Sequence, residues 1–218
     1  MKLSDEDILA VVNQMPMGLV QLMESEDIFL AGGAIRAVIA GEEIKDFDMF
    51  AASKEEARYY AERLSFMLEC AGFLETENAF TVRDDRGIIP DIQLIHRWTF
   101  DNPNDLIASF DYTIAQAAIW HDGLDWKSVA ANTFLDDLHA KRLTYTAPDR
   151  HEDAGGSLLR MRKFLKRGYD ISSYDMAKVI ARMLNGVDME VFPDQTEYNR
   201  ALQINEVLTD AYGEPVND

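Results

Sequence analysis

The sequence predicts an α+β fold, a small mixed β-sheet flanked by helices and followed by a small helical C-terminal portion. Short apolar runs bounded by glycine or acidic turns recur between residues 27 and 95. Amphipathic stretches with a 3.6-residue period precede and separate them, and from Ser157 onward only that helical period persists. A domain of residues 1–150 is therefore expected, with residues 151–218 as the helical portion.

Ser4, followed three residues later by Asp7, caps a first helix whose apolar stripe is Ile8, Leu9, Val11, Val12 and Met15, and Pro16 ends it. A second helix carries Leu19, Val20, Leu22 and Met23 into Asp27-Ile28-Phe29-Leu30-Ala31, a run with the length of a buried strand. Gly32-Gly33 makes a tight turn opening a short helix that Gly41 closes. Asp46-Phe47-Asp48-Met49-Phe50-Ala51 is the second strand, and Ser53-Lys54-Glu55-Glu56 is the capping box of a helix reaching about Ala71. Ala79 to Arg83 and Gly87 to Ile95 are two more strands joined by the hairpin turn Asp84-Asp85-Arg86, which makes a sheet of about four. Leu106 to Trp120 reads as a short connection and a helix, with a turn at Asp122-Gly123. In the last third, Leu158, Leu159, Met161, Phe164 and Leu165, then Met176, Val179, Ile180 and Met183, have helical spacing, and Tyr212 to Asp218 is expected to fray.

At 47% hydrophobic and 28% charged residues, the 218-residue chain has the composition of a folded globular protein. No apolar run approaches the roughly 18 residues of a membrane span, and Met1-Lys2-Leu3-Ser4-Asp5 lacks the layout of a signal peptide, so a cytoplasmic, membrane-free protein is expected. Cys70 is the only cysteine, which rules out an internal disulfide and a cysteine-rich zinc site. The 39 acidic against 21 basic residues, a formal charge of -18, repel a polyanion at long range; extended DNA binding is not expected.

The chemistry concentrates on Asp46 and Asp48. Alternate residues of a strand share a face, so these carboxylates stand together while Phe47 turns to the core. Such a pair repels itself unless a cation sits on it, and Mg²⁺ is commonly held by one or two carboxylates plus substrate phosphates. Asp91, in the apolar run Ile88-Ile89-Pro90-Asp91-Ile92, needs a partner and could come from a neighbouring strand to join them. Three such carboxylates suit two divalent ions, Asp91 lying nearest the attacking oxygen. Gly32-Gly33 lets backbone amides approach phosphate oxygens at a helix start. His96, His121, His139 and His151 show no paired metal spacing.

These segments together resemble the nucleotidyltransferase superfamily, and within it the head of CCA-adding enzymes and bacterial poly(A) polymerases. That group reads Gly-Gly-x-x-Arg-Asp, a short helix ending in Gly, then Asp-x-Asp, and here Gly32-Gly33-Ala34-Ile35-Arg36, Gly41 and Asp46-Phe47-Asp48 stand in that order. Asp111-Tyr112-Thr113-Ile114 resembles the family's nucleotide-pocket segment, with Ser109-Phe110 in place of its two arginines and Ala115 in place of its asparagine. Phe164 to Ile171 is similar to the family's neck, whose base-reading Glu-Asp-x-x-Arg is half present as Glu152-Asp153 followed by Ala154-Gly155-Gly156. The chain thus resembles the head and neck of the family in a truncated, phage-type form, which would place it in a bacterial or phage-infected host cell.

The resemblance implies a nucleotidyltransferase with Mg²⁺ or Mn²⁺ as cofactor and a nucleoside triphosphate as substrate. It would move a nucleoside monophosphate to a hydroxyl of an RNA 3′ end, a protein or a small molecule. Asp46, Asp48 and Asp91 would be the metal ligands and catalytic residues, and Gly32 and Gly33 would seat the triphosphate. Arg36 would brace the turn or reach a phosphate, and Asp111 and Thr113 would line the nucleotide pocket. Arg160, Lys163 and Arg167 share a helix face that would meet triphosphate or an RNA end. The alternative expectation is a catalytically weak or inactive nucleotide- or protein-binding regulatory module on the same fold.

Overall fold

In the computed structural model of the chain the described residues are 1–148, 155–185, 201–202 and 204–205. They fall into two compact units, Met1–Phe110 with Ile114–His139, and Asp111–Thr113 with the chain from Ala140 onward. The first unit runs α1 (Asp5–Val12), α2 (Met17–Ser25), β1 (Phe29–Ala31), α3 (Gly33–Ala40), β2 (Asp46–Phe50), α4 (Lys54–Met67), β3 (Phe73–Glu75), β4 (Ala79–Val82), β5 (Asp91–Ile95), α5 (Pro103–Ala108), β6 (Ala117–His121), β7 (Trp126–Ala130) and α6 (Phe134–His139). Its sheet has the order β3-β4-β5-β2-β1-β6-β7; β2 and β5 are parallel and the other neighbours antiparallel.

The mixed α+β sheet agrees with expectation, but it has seven strands rather than about four. The main correction concerns residues 106–120, expected as a helix. The helical part is limited to the end of α5, capped by the Asn102 side chain on the Asn104 amide, and a single 3-10 turn at Thr113–Ala115, while Ala117–His121 forms β6. Ala117, Ala118 and Ile119 are all buried because β6 lies between β1 and β7 with both faces covered, so the polar alternation that marks a strand is absent. The expected caps form: the Ser4 hydroxyl accepts from the Asp7 amide and Ser53 from Glu56, while Gly41 closes α3 in the left-handed conformation.

The two sheet faces differ. Leu30, Phe47, Met49, Phe80, Ile92 and Leu94 share one face by strand register, fully buried, and α3 and α4 pack on these strands. On the other face Phe29, Ala31, Phe50 and Ala118 pack with Leu106 and Ile107 of α5, and Phe110 joins them. Further along β2 and β5 that same face turns polar, beginning at Asp48 and Gln93. The carboxylates therefore stand where α5 no longer covers the sheet.

The second unit contains β8 (Arg142–Leu143), α7 (Gly156–Leu165), β9 (Asp170–Ile171) and α8 (Ser173–Asn185). Both helices were expected. The two-residue strand β9, which pairs in parallel with β8, corrects the expectation of no strand beyond Ser157. Tyr112 anchors the unit: its buried hydroxyl donates to the Ser157 carbonyl at 2.7 Å, and its ring lies 5.6 Å from Tyr145 and 6.2 Å from Phe164. Glu152-Asp153, His151 and Tyr212 to Asp218 lie outside the described residues. Among the described residues no helix is long and apolar enough to cross a membrane.

Candidate active site

Asp46 and Asp48 emerge from β2 on one face, half-buried, with Phe47 fully buried between them on the other. The parallel register of β2 and β5 sets Asp46 opposite Asp91 and Asp48 opposite Gln93. Paired residues on neighbouring strands project to the same side, about 5 Å apart, so the strands bring together the three carboxylates that the sequence singled out.

Asp91 already has a partner. The Arg83 Nε donates to Asp91 Oδ1 at 3.2 Å and to Oδ2 at 2.9 Å, and Arg83 Nη2 donates to Oδ2 at 2.8 Å. The hairpin explains this, since the antiparallel pairing of Val82 with Ile92 puts the next residue out, Arg83, beside Asp91. The turn itself is built on Asp84, whose buried carboxylate accepts from the amides of Arg86 (3.2 Å) and Ile88 (3.0 Å) and from the Arg86 Nε (3.0 Å). Burial pushes the Asp84 carboxyl up, but the Arg86 guanidinium and the two amides outweigh it and hold it below the ordinary carboxylate range. The apolar run expected to bury Asp91 does not do so: Ile88 is 73% exposed, and the cation of Arg83 rather than core packing defines the surroundings of Asp91.

The glycine turn stands against the pair. Gly32 has φ +79° and ψ -120°, a conformation closed to residues with a Cβ, and its amide donates to the Ala117 carbonyl at 3.0 Å. A Cβ on Gly33 would lie 3.9 Å from Asp46 Oδ1, so the opening of α3 and the Asp46 carboxylate face one another. The first amides of a helix have no intrahelical acceptor and attract anions. Arg36 is buried at 5% exposure and paired with Glu42, just past the C-cap of α3.

Among the described residues no three of His, Cys, Asp and Glu converge as a ready metal cage, and Asp91 is engaged by Arg83. Asp46 and Asp48 nevertheless suit a hard divalent ion of the kind that takes two carboxylates and completes its shell with substrate phosphates and water. Arg83 and Gln93 are the site residues that sequence reading missed. The hairpin register around Asp84 to Arg86 was the signal that pointed to Arg83.

The other expected residues belong to the second unit. Asp111 is buried, and Arg160 Nε on α7 donates to its Oδ2 at 2.6 Å. The Thr113 amide donates to the Thr144 carbonyl at 3.1 Å, and Thr113 is buried. Lys163 is exposed on α7, and the Arg167 guanidinium lies 5.7 Å from the Phe164 ring.

The order of strands and helices in the first unit is a nucleotidyltransferase-like fold. The solved structures with this fold include the Thermotoga maritima CCA-adding enzyme complexed with tRNA, at TM-score 0.60 and 13% identity over 96% of this chain and 56% of that one. A CCA-adding enzyme with CTP (TM-score 0.59, 13% identity, 96% of this chain and 55% of that one) and a tRNA-processing enzyme with CTP (0.57, 17%, 92% and 59%) are similar too. The chain itself belongs to the Gabija anti-defense 2 family, whose model matches residues 2–141. A curated relative, "Gabija anti-defense 2" of Bacillus phage SPbetaL7, is 25% identical over 165 residues, 74% of this chain and 38% of the relative. The chain thus spans well under half of that relative and a little over half of the CCA-adding enzymes.

Proposed function

We propose that the Asp46–Asp48 face is the active site of a nucleotidyltransferase that moves a nucleoside monophosphate from a nucleoside triphosphate to a hydroxyl, with release of pyrophosphate. The observation that supports this is the meeting of three features on one surface: Asp46 beside the opening of α3, Asp48 two residues on, and Asp91 across from Asp46. Gly32 and Gly33 seat the triphosphate at the amides of α3, and Arg36 keeps that turn in place. Asp46 and Asp48 would hold Mg²⁺ or Mn²⁺, which supplies charge neutralisation on the phosphates and a lower pKa for the attacking hydroxyl. The acceptor oxygen forms its bond to the α-phosphorus as the bond to the bridging oxygen breaks, pyrophosphate leaves with that electron pair, and Asp91 takes the hydroxyl proton.

For the second unit, Asp111 and Thr113 are assigned as nucleotide contacts by resemblance to the family, and Arg160 and Lys163 as contacts to triphosphate or an RNA end because they lie on the basic face of α7. The ion pair with Asp111 supports this for Arg160 as a pre-oriented guanidinium. The acceptor is a hydroxyl of an RNA 3′ end, a protein or a small molecule, and the tRNA held by a CCA-adding enzyme of similar fold favours RNA. The test is mass spectrometry of RNA and protein from a bacterial lysate after incubation of the chain with labelled ATP, CTP, GTP or UTP. A nucleotide-monophosphate adduct that disappears in the Asp46→Ala, Asp48→Ala variant supports the reading; an adduct that persists in the variant refutes it.

A further inference from the structure

A cavity of about 670 Å³ opens in the first unit at the opposite end of β2 from the acidic pair, where Ala52 follows the strand. Six residues of extended chain separate Asp46 from Ala52, roughly 20 Å. The cavity shares no residue with the site described above. Its charged lining is wholly acidic, drawn from the end of α2, the start of α4 and the loops after β5 and β6.

Three of those acids are already engaged. Glu26 is ion-paired with Arg63, Glu56 accepts from the Ala52 amide at 3.2 Å, and Asp122 accepts from Lys127 and from two loop amides. Among the described residues the side chains of Glu24, Asp27 and Asp101 make no hydrogen bond or ion pair, and these exposed carboxylates give the cavity its negative charge.

A second feature points inward independently of that charge. Tyr60 of α4 is 4% exposed, lines the cavity, and its hydroxyl has no hydrogen-bond partner among the described residues. The hydroxyl is reached through the cavity, so a donor bound there can hydrogen-bond to it. Its pKa is pushed up to about 12, by burial first and then by Glu56, Glu26 and Asp27, and as a neutral hydroxyl it can accept a hydrogen bond as well as donate one.

The lining also selects among cations. Its carboxylates are spread around the cavity rather than gathered into a cluster of three or more. Phe100 and Trp120 supply half-buried aromatic wall, with Trp120 edge-on to Phe29 at 5.9 Å. Dispersed carboxylates, an acceptor hydroxyl and aromatic faces suit a planar, delocalised cation with several N–H donors.

We propose that this cavity binds an organic cation through a guanidinium group, with Asp27 and Asp101 neutralising it, Tyr60 accepting an N–H and Trp120 stacking on it. The source is either a free guanidinium compound or an arginine side chain, and two probes separate them. Agmatine has a second cationic end; N-acetylarginine amide mimics a side chain. Each is titrated into the full chain by calorimetry and by tryptophan fluorescence.

Both probes should bind more weakly as salt rises. Asp27→Asn with Asp101→Asn should weaken binding about tenfold or more, and Tyr60→Phe by roughly fivefold to tenfold. Melting temperatures should stay within about 2 °C of the parent, because Asp27 and Asp101 are exposed and Phe keeps the ring. Agmatine binding at least about tenfold tighter than the amide supports a free ligand, and comparable binding supports a side chain. Failure of both probes to bind with Kd below about 1 mM, or equal binding by the variants, overturns the proposal. So does displacement of agmatine by MgCl₂ beyond that achieved by NaCl at equal ionic strength, since a metal site would then be indicated. None of these outcomes bears on nucleotidyl transfer.

Discussion

Arg83 grips both carboxylate oxygens of Asp91, and Asp91 stands directly across the sheet from Asp46. A cation of the chain thus occupies the third carboxylate of the site, on the face where a divalent cation is proposed to bind.

Removing that competitor should improve metal binding. Arg83 is 62% exposed and Asp91 29%, so the pair adds at most about 1 kcal/mol to stability. Arg83→Gln should therefore leave the melting temperature within about 4 °C of the parent. It should tighten Mn²⁺ binding by roughly threefold to tenfold, from loss of one nearby positive charge. Manganese titration followed by electron paramagnetic resonance reads this directly. Unchanged or weaker binding would show that Asp91 is no part of the metal site.

Gly32→Ala should destabilise the fold by about 1–3 kcal/mol, because alanine at φ +79° and ψ -120° is strained. Urea unfolding measures it. A loss below about 0.5 kcal/mol would mean that the turn relaxes freely, and its role in holding the triphosphate against α3 would fail with it.

Tyr60 makes stability depend on pH on the alkaline side. Its folded-state pKa is raised to about 12 from an ordinary 10, so the folded protein holds this proton more tightly than the unfolded chain. The associated stability is fully present below pH 10 and is lost as pH rises from 10 towards 12. In an absorbance titration of the tyrosines, Tyr60→Phe should remove a late-ionising group, and the decline of stability above pH 10 should become shallower. A titration curve in which Tyr60→Phe removes a group ionising near pH 10 would contradict this.

Much of the site could be read from the sequence because its elements are local. β1, the glycine turn, α3 and β2 follow one another within residues 29–50, and each announces itself through an apolar run, a glycine or an alternating acid pair. The sequence also suggested Asp91 beside them, since a hairpin signal preceded it. What escaped needed partners distant in the chain. β6 is buried on both faces and Ala117-Ala118-Ile119 has no alternation, so its strand character arises from β1 and β7. β7 likewise depends on that pairing, although the turn at Asp122-Gly123 marked the hairpin between them. The Arg83–Asp91 pair appears only once the hairpin register is known, and the acidic cavity draws on α2, α4 and two loops that no sequence window contains.

In the second unit, Tyr145 carries a buried hydroxyl with no partner among the described residues. Tyr145→Phe should be neutral or stabilising by up to about 1 kcal/mol, since it removes a polar group without a hydrogen bond and keeps the ring against Tyr112. Thermal unfolding followed by circular dichroism tests it. A loss above about 1 kcal/mol would reveal a partner for that oxygen.

The central claim concerns Asp46 and Asp48, and pyrophosphate release by the full chain with Mg²⁺ or Mn²⁺ and each nucleoside triphosphate, in the presence of bacterial RNA and protein as acceptors, tests it most directly. The parent should release pyrophosphate only with the metal, and the Asp46→Ala, Asp48→Ala variant should lose that release on the order of 10³-fold while melting at a similar temperature. Release at the parent rate from the double variant, or none from the parent with any triphosphate, would contradict the assignment.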